Sequence, residues 1–366
     1  MRFSAAGRRG LAAIFASGLV LAVAAIPGNA TASTTTTDAP RFAPTARVAP
    51  PQILWPRGVH AGPSESTATP DAGSSNNLIY HGGAVMHRPH VYLVFWGTQW
   101  KKGFKTGPGN RYTSTTVTRY NQSFYNAVGG SAWHGVQTQY CDGIQIGSVS
   151  CDSGQKPAYV QNHKYLLSGT WVDGSAAPSV IANTGLADNL VNDPLATEAV
   201  AASAHFHTTD PDALFMIFTP PGTQALAYGT VFCAYHSQVA QPGTPPVRYA
   251  FMPFTPEQGA GCGGNSVNTK DDAFGHGYLD SYTLAGGHEF EEAVTDPDNE
   301  AMVQDGWNDY QTSENGDKCA YFHEQNLRIG TSYWAVQPMW SNEANHGTGG
   351  CAVARGTGTW PVPSTP

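Results

Sequence analysis

The sequence predicts a layered domain of mixed α/β or α+β class, stabilised by disulfides, and three observations carry that reading. Three apolar runs rich in β-branched and aromatic residues stop at or beside Gly or Pro, as buried strands do: VYLVFWG at 91–97, ALFMIFTP at 213–220 and RYAFMPF at 248–254. Helical patterns lie among them: TRYNQSFYNAVGG from 118, TEAVAASAHF at 197–206 and YLDSYTLAGGHEFEEAV at 278–294. Strands alternating with helices fold as packed layers around one core. The third observation is an even set of six cysteines, Cys141, Cys151, Cys233, Cys262, Cys319 and Cys351.

Taken in order, the chain begins with Arg2, Arg8 and Arg9, an apolar run from Leu11 to Ile26, and the small-residue site Ala30-Thr31-Ala32. That order is a secretory signal peptide over 1–32, and the run is too short and alanine-rich for a membrane span. Residues 33–75 are Thr, Ala, Pro and Ser with few large apolar side chains. They are expected to be a disordered linker or pro-segment, because they cannot bury enough surface to offset ordering entropy. The domain proper is expected over 76–355, followed by a disordered tail at 356–366.

A formal charge of −8 argues against nucleic-acid and anionic-membrane partners, which need basic patches. The one basic cluster, Lys101, Lys102 and Lys105, reads as a solvated loop. In an exported chain the cysteines read as three disulfides. Cys141 with Cys151 would close a local loop and Cys319 with Cys351 would tie down the C-terminal segment, leaving Cys233 with Cys262; other connectivities stay open. Trp96, Trp100, Trp133, Trp307, Trp334 and Trp340 are read as core residues rather than a carbohydrate platform.

The chemistry concentrates in GGHEFEEAVTDPDNE, residues 286–300. On a helix, residues i and i+4 share a face, so His288 and Glu292 converge as the two histidines of H-E-x-x-H do on zinc. Zinc accepts a carboxylate as readily as an imidazole. Glu289 sits beside them, where a general base can take a proton from water. Asp280 is expected to cap the helix start, and Thr295-Asp296-Pro297 to end it. The ordinary alternative is an acidic surface helix with a His–Glu pair one turn apart. Downstream, GWNDYQTSENGDKCAY at 306–321 offers Asp309, Glu314 and Asp317. Glu314 is the first choice for a third ligand and Asp317 the second, while Asp309 fits a solvated Asn-Gly turn. Such an arrangement makes the mixed sheet zincin-like, with an active-site helix at 280–294.

Other candidates carry less. No G-x-S-x-G elbow and no glycine-rich phosphate loop is present. His205 and His207 alternate and are read as surface or capping histidines. His236, beside the cysteine segment, could approach the site in space, as could His81 and His276, and none of the three is counted as a ligand. DPDNE and NTKDD lack the ligand spacing of an EF-hand calcium loop.

On several segments the chain resembles the secreted phosphate-induced protein, or EXORDIUM-like, family of plants and bacteria. YHGGAVMHRPHVYLVFWG (80–97) is similar to that family's opening strand, and FCAYHS with VRYAFMPF to its cysteine-His and strand segments. Gly287 to Glu292, Asp296-Pro297 and Glu314 to Cys319 are similar to its G-H-E-x-x-E helix, its Asn/Asp-Pro ending and its Glu-x-x-Asp-x-Cys. YWAVQPMWSN (333–342) looks like its closing strand. The chain departs in lacking a second cysteine just after Cys233, and in the loop bearing Cys141 and Cys151, which has no counterpart. The resemblance implies export to the cell wall or medium but no firmly established reaction. From the residues of the helix and the downstream loop, the expected function is a secreted Zn2+-dependent hydrolase, a metallopeptidase acting on an extracellular protein or cell-wall substrate. The alternative is a non-enzymatic extracellular cell-wall or growth-signalling protein with a structural metal or a degenerate site.

Overall fold

The computed structural model describes residues 47–58, 76–152, 156–181, 193–240, 243–271, 276–298 and 305–356. The expected signal peptide, most of the linker and nearly all of the tail lie outside the described residues, as do parts of both calcium-loop candidates. One seven-stranded mixed sheet organises the rest. Its strands are β1 (Arg47–Val48), β2 (Gln52–Leu54), β3 (His90–Trp96), β4 (Leu167–Asp173), β5 (Ala213–Phe218), β6 (Ala234–Ala240) and β7 (Val247–Met252). The order across the sheet is β1, β6, β7, β5, β3, β4, with β2 also pairing β6. β7, β5, β3 and β4 run parallel, while β6 is antiparallel to β7, β1 and β2.

The three apolar runs become β3, β5 and β7, and they sit together in the middle of the sheet because both their faces are covered. Leu214, Met216 and Phe218 of β5 point into one core layer, whereas Ala213, Phe215 and Ile217 point into the other. Helix α1 (Ser114–Val128) and helix α3 (Asp280–Thr295) supply the first layer through Val117, Phe124, Tyr282 and Phe290. Helix α2 (Pro194–His205) covers the opposite face with Leu195, Ala196, Ala199 and Ala202. The Asp193 carboxylate caps α2 by accepting the Leu195 and Ala196 amides at 2.8 and 3.2 Å. All six tryptophans read as core are buried. Disulfides join Cys141–Cys151, Cys233–Cys262 and Cys319–Cys351. Among the described residues no helix is long and apolar enough to cross a membrane.

Three expectations are corrected. Residues 47–58 do not behave as linker: β1 and β2 register against β6, Val48 opposite Val239 and Gln52 opposite His236. Two short apolar segments, invisible to a composition argument, find a sheet edge to complete. Asp280 does not cap α3; the cap position is Leu279. The Asp280 carboxylate instead takes the His276 amide, the Tyr120 hydroxyl and the Asn268 side-chain amide, tying α3 to the preceding loop and to α1. The segment 333–342 is not one strand. It splits at Gln337-Pro338 into Ser332–Val336 and Met339–Ser341, which belong to two separate hairpins.

Candidate metal centre

Helix α3 is buried along its whole length, which removes the surface-helix reading. A solvated acidic face belongs on an exposed helix, and His288, Glu289 and Glu292 have no accessible surface. The helix can lie this deep partly because of Gly286 and Gly287. A Cβ at Gly286 would come within 2.7 Å of the Tyr125 hydroxyl, and one at Gly287 within 2.9 Å of the Trp133 ring. The third acid of the helix, Glu291, points away from the site and pairs with buried His134 at 2.9 Å.

A second element arrives from downstream. The loop 309–319 is shaped by Asp309, whose carboxylate accepts the Gln311 and Ser313 amides and pairs with Lys318 at 2.6 Å. Asn315 fastens the loop to α3, donating to the Glu291 carbonyl, the Thr295 hydroxyl and the Gln137 side chain at 2.8–2.9 Å. Gln337 donates to the Gly316 carbonyl, and Cys319–Cys351 anchors the loop's end. Glu314 and Asp317 are thereby held over the helix, and the Asp317 amide donates to Glu292 Oε1 at 2.8 Å.

The third contribution, His236, comes from β6, one residue inside the face that α3 covers. Its Nδ1 lies 3.2 Å from Glu289 Oε2 and 3.8 Å from Glu292 Oε2, and its Nε2 lies 3.6 Å from Glu314 Oε1. His288 Nε2 lies 2.9 Å from Glu292 Oε1 and 3.6 Å from Asp317 Oδ1. Two groups with metal-binding geometry result, His288–Glu292–Asp317 and His236–Glu289–Glu292, with Glu292 common to both. Asp317 thus joins the His288 group, while Glu314, the first choice from sequence, stands beside His236. Nothing in the local spacing marks His236; its one legible signal is its place three residues after Cys233 on a buried strand.

The electrostatics are unusual for a protein interior. Burial raises the carboxyls of Glu289, Glu292 and Glu314 well above the usual range and pushes Asp317 up to about 8, with neighbouring carboxylates of the cluster, and Asp296 and Asp309 beside it, adding to the shifts of Glu289, Glu314 and Asp317. Burial also lowers His288 and takes His236 down to about 3, in the direction of the uncharged imidazole. No lysine or arginine among the described residues is ion-paired with the four carboxylates. Arg248 is engaged by Asp298, and Arg328 is exposed on the strand Gln325–Ile329. Both ring nitrogens of His288, Glu289 Oε1, Glu292 Oε2 and both oxygens of Glu314 are buried without a hydrogen-bond partner. Orphaned donors and acceptors of this kind are rare in folded proteins, and the donor types, imidazole nitrogen and carboxylate oxygen, are those that hold divalent cations. Only Asp317, 17 % exposed at its side chain, reaches solvent.

The other histidines weighed from sequence lie elsewhere. Exposed His205 stacks on Trp171 at 4.1 Å, His81 meets the Asn308 carbonyl at 3.3 Å, and His276 packs edge-on against Tyr120. No protein-family profile, curated protein or solved structure matches the chain.

Proposed function

We propose that the protein is a secreted, zinc-dependent hydrolase of zincin-like architecture, a metallopeptidase of the phosphate-induced, EXORDIUM-like kind. The observation that carries this reading is the convergence of two imidazoles and four carboxylates in two groups that share buried Glu292, with no basic partner among the described residues. His288, Glu292 and Asp317 hold the cation; one nitrogen and carboxylate oxygens suit zinc. When bound, such a cation supplies Lewis acidity toward a scissile carbonyl. Glu289 Oε1, unpartnered and beside this group, takes a proton from the attacking water. Asp317, at the solvent-facing edge, marks the side from which substrate approaches.

One observation favours a second reading. Five of the six residues are essentially sealed from solvent, as ligands of a closed structural metal are, and in that case no substrate is cleaved. Metal analysis of the purified mature protein beside His288→Ala, followed by a peptidase screen, separates the possibilities. Bound zinc lost in the variant, together with turnover, supports the hydrolase; bound zinc without turnover on any peptide leaves the structural reading. Glu289→Gln is expected to keep the cation held by His288 and to lose turnover, and unchanged turnover would remove Glu289 from the base role.

A further inference from the structure

Resting on the metal-dependent reading of this site, we propose that the centre holds two divalent cations rather than one, bridged by Glu292. His288 and Asp317 complete the first position; His236, through Nδ1, and Glu289, through Oε2, complete the second, leaving Glu289 Oε1 for the proton. Glu314 stands beside the Nε2 edge of the His236 ring. The Glu292 oxygens diverge: Oε1 faces His288 at 2.9 Å, and Oε2 is the oxygen nearer His236. A carboxylate in that posture is a bridge, as in sites where two cations lie about 3.5–4 Å apart.

His236 supplies the second argument. Its Nε2 lies 3.3 Å from the Asp296 carbonyl, a partner that can only accept, so Nε2 carries the proton. Nδ1 then presents its lone pair toward Glu289 Oε2 and Glu292 Oε2, which are also electron-rich. Nδ1 and the two carboxylate oxygens thus converge as three electron-pair donors, the arrangement a cation accepts. The backbone carbonyl behind the ring is also the partner that fixes a ligand histidine's tautomer.

Charge supplies the third. Glu289, Glu292, Glu314 and Asp317 bring four carboxylates into one cluster around two imidazoles. Cation binding requires ionised carboxylates, and with all four ionised a single divalent cation leaves about two negative charges uncompensated in a medium where an unpaired charge is costly. A pair of divalent cations balances the set with both imidazoles neutral. The unpartnered atoms fall on both sides of Glu292: the His288 nitrogens on one, Glu289 Oε1 and both Glu314 oxygens on the other. A single cation at His288 leaves the second group unsatisfied. The mixed imidazole and carboxylate donors fit zinc or manganese.

The test uses the full mature protein, stripped with chelator and reloaded with Zn2+ or Mn2+ alone. Elemental analysis and calorimetric titration are expected to give about two cations per chain, falling to about one in His236→Ala while the His288 position still fills. Manganese-loaded wild type is expected to show an exchange-coupled electron paramagnetic resonance signal. One cation per chain, or a spectrum of isolated ions at saturation, overturns the two-cation centre and leaves the single-metal reading standing. No cation in a folded protein overturns both. The spectrum needs no variant, so a misfolded His236→Ala does not spare the proposal.

Discussion

Gly316 shows how tightly single residues are constrained around the cluster. Its φ is an ordinary −77°, so backbone freedom is not why glycine stands there. A Cβ would lie 2.8 Å from both Glu292 Oε1 and His288 Nδ1. Gly316→Ala is therefore expected to weaken zinc binding by about 10- to 100-fold, the scale on which neighbours of ligands act, in a competition titration against a chromogenic chelator. A second residue acts far from the site. Glu198, on α2, is buried, and burial followed by the Asp173 carboxylate pushes its carboxyl up to about 9. A raised acid favours the fold only while protonated, so its contribution is full below the unfolded value near 4.5 and is lost as pH rises through about 9. Glu198→Gln is expected to match the wild-type melting temperature at pH 4 and to exceed it by a margin that grows from pH 5 to pH 9. An equal margin at every pH would show that the carboxyl does not titrate in this window.

At the scale of elements, α3 is held on every side. His134 and Glu291 form a pair with no solvent contact on the face of the helix away from the His–carboxylate cluster. Removing one partner of such a pair strands the other, at about 3–5 kcal/mol. Glu291→Ala is expected to lower stability by that amount in urea unfolding, with metal stoichiometry unchanged in the folded fraction. Much of this element was legible from its own residues. The boundaries read from periodicity, 278–294, enclose most of Asp280–Thr295, and Pro297 stops it as proline must. Its depth was not legible, because the burial comes from β6, β7 and the 309–319 loop, none of which leaves a mark on the helix's own pattern. The strands show the same division. Runs buried on both faces announce themselves as β3, β5 and β7. The two- and three-residue pieces β1 and β2 lie in a Thr/Ala/Pro-rich stretch whose composition says the opposite.

At the scale of the whole molecule, those two pieces close the sheet. They pair with β6, the strand that carries His236, and without them an edge of β6 opens to solvent and to other chains. A chain beginning at residue 76 is expected to melt lower and aggregate sooner than one beginning at residue 47, and light scattering during a thermal ramp would measure it. Equal behaviour would show that the edge is closed by other means. The sequence by itself determined what depends on near neighbours: the central strands, the helix that brings His288, Glu289 and Glu292 to one side, and six cysteines in an even set. The i, i+4 geometry of a helix is local, so it is written in the spacing. Only the tertiary structure decided that His236 joins Glu289 from 53 residues away, that Asp317 rather than Glu314 meets His288, and that no basic side chain among the described residues is ion-paired with the cluster. Those outcomes depend on which surfaces pack together, and packing between distant segments has no fixed spacing along the chain to read.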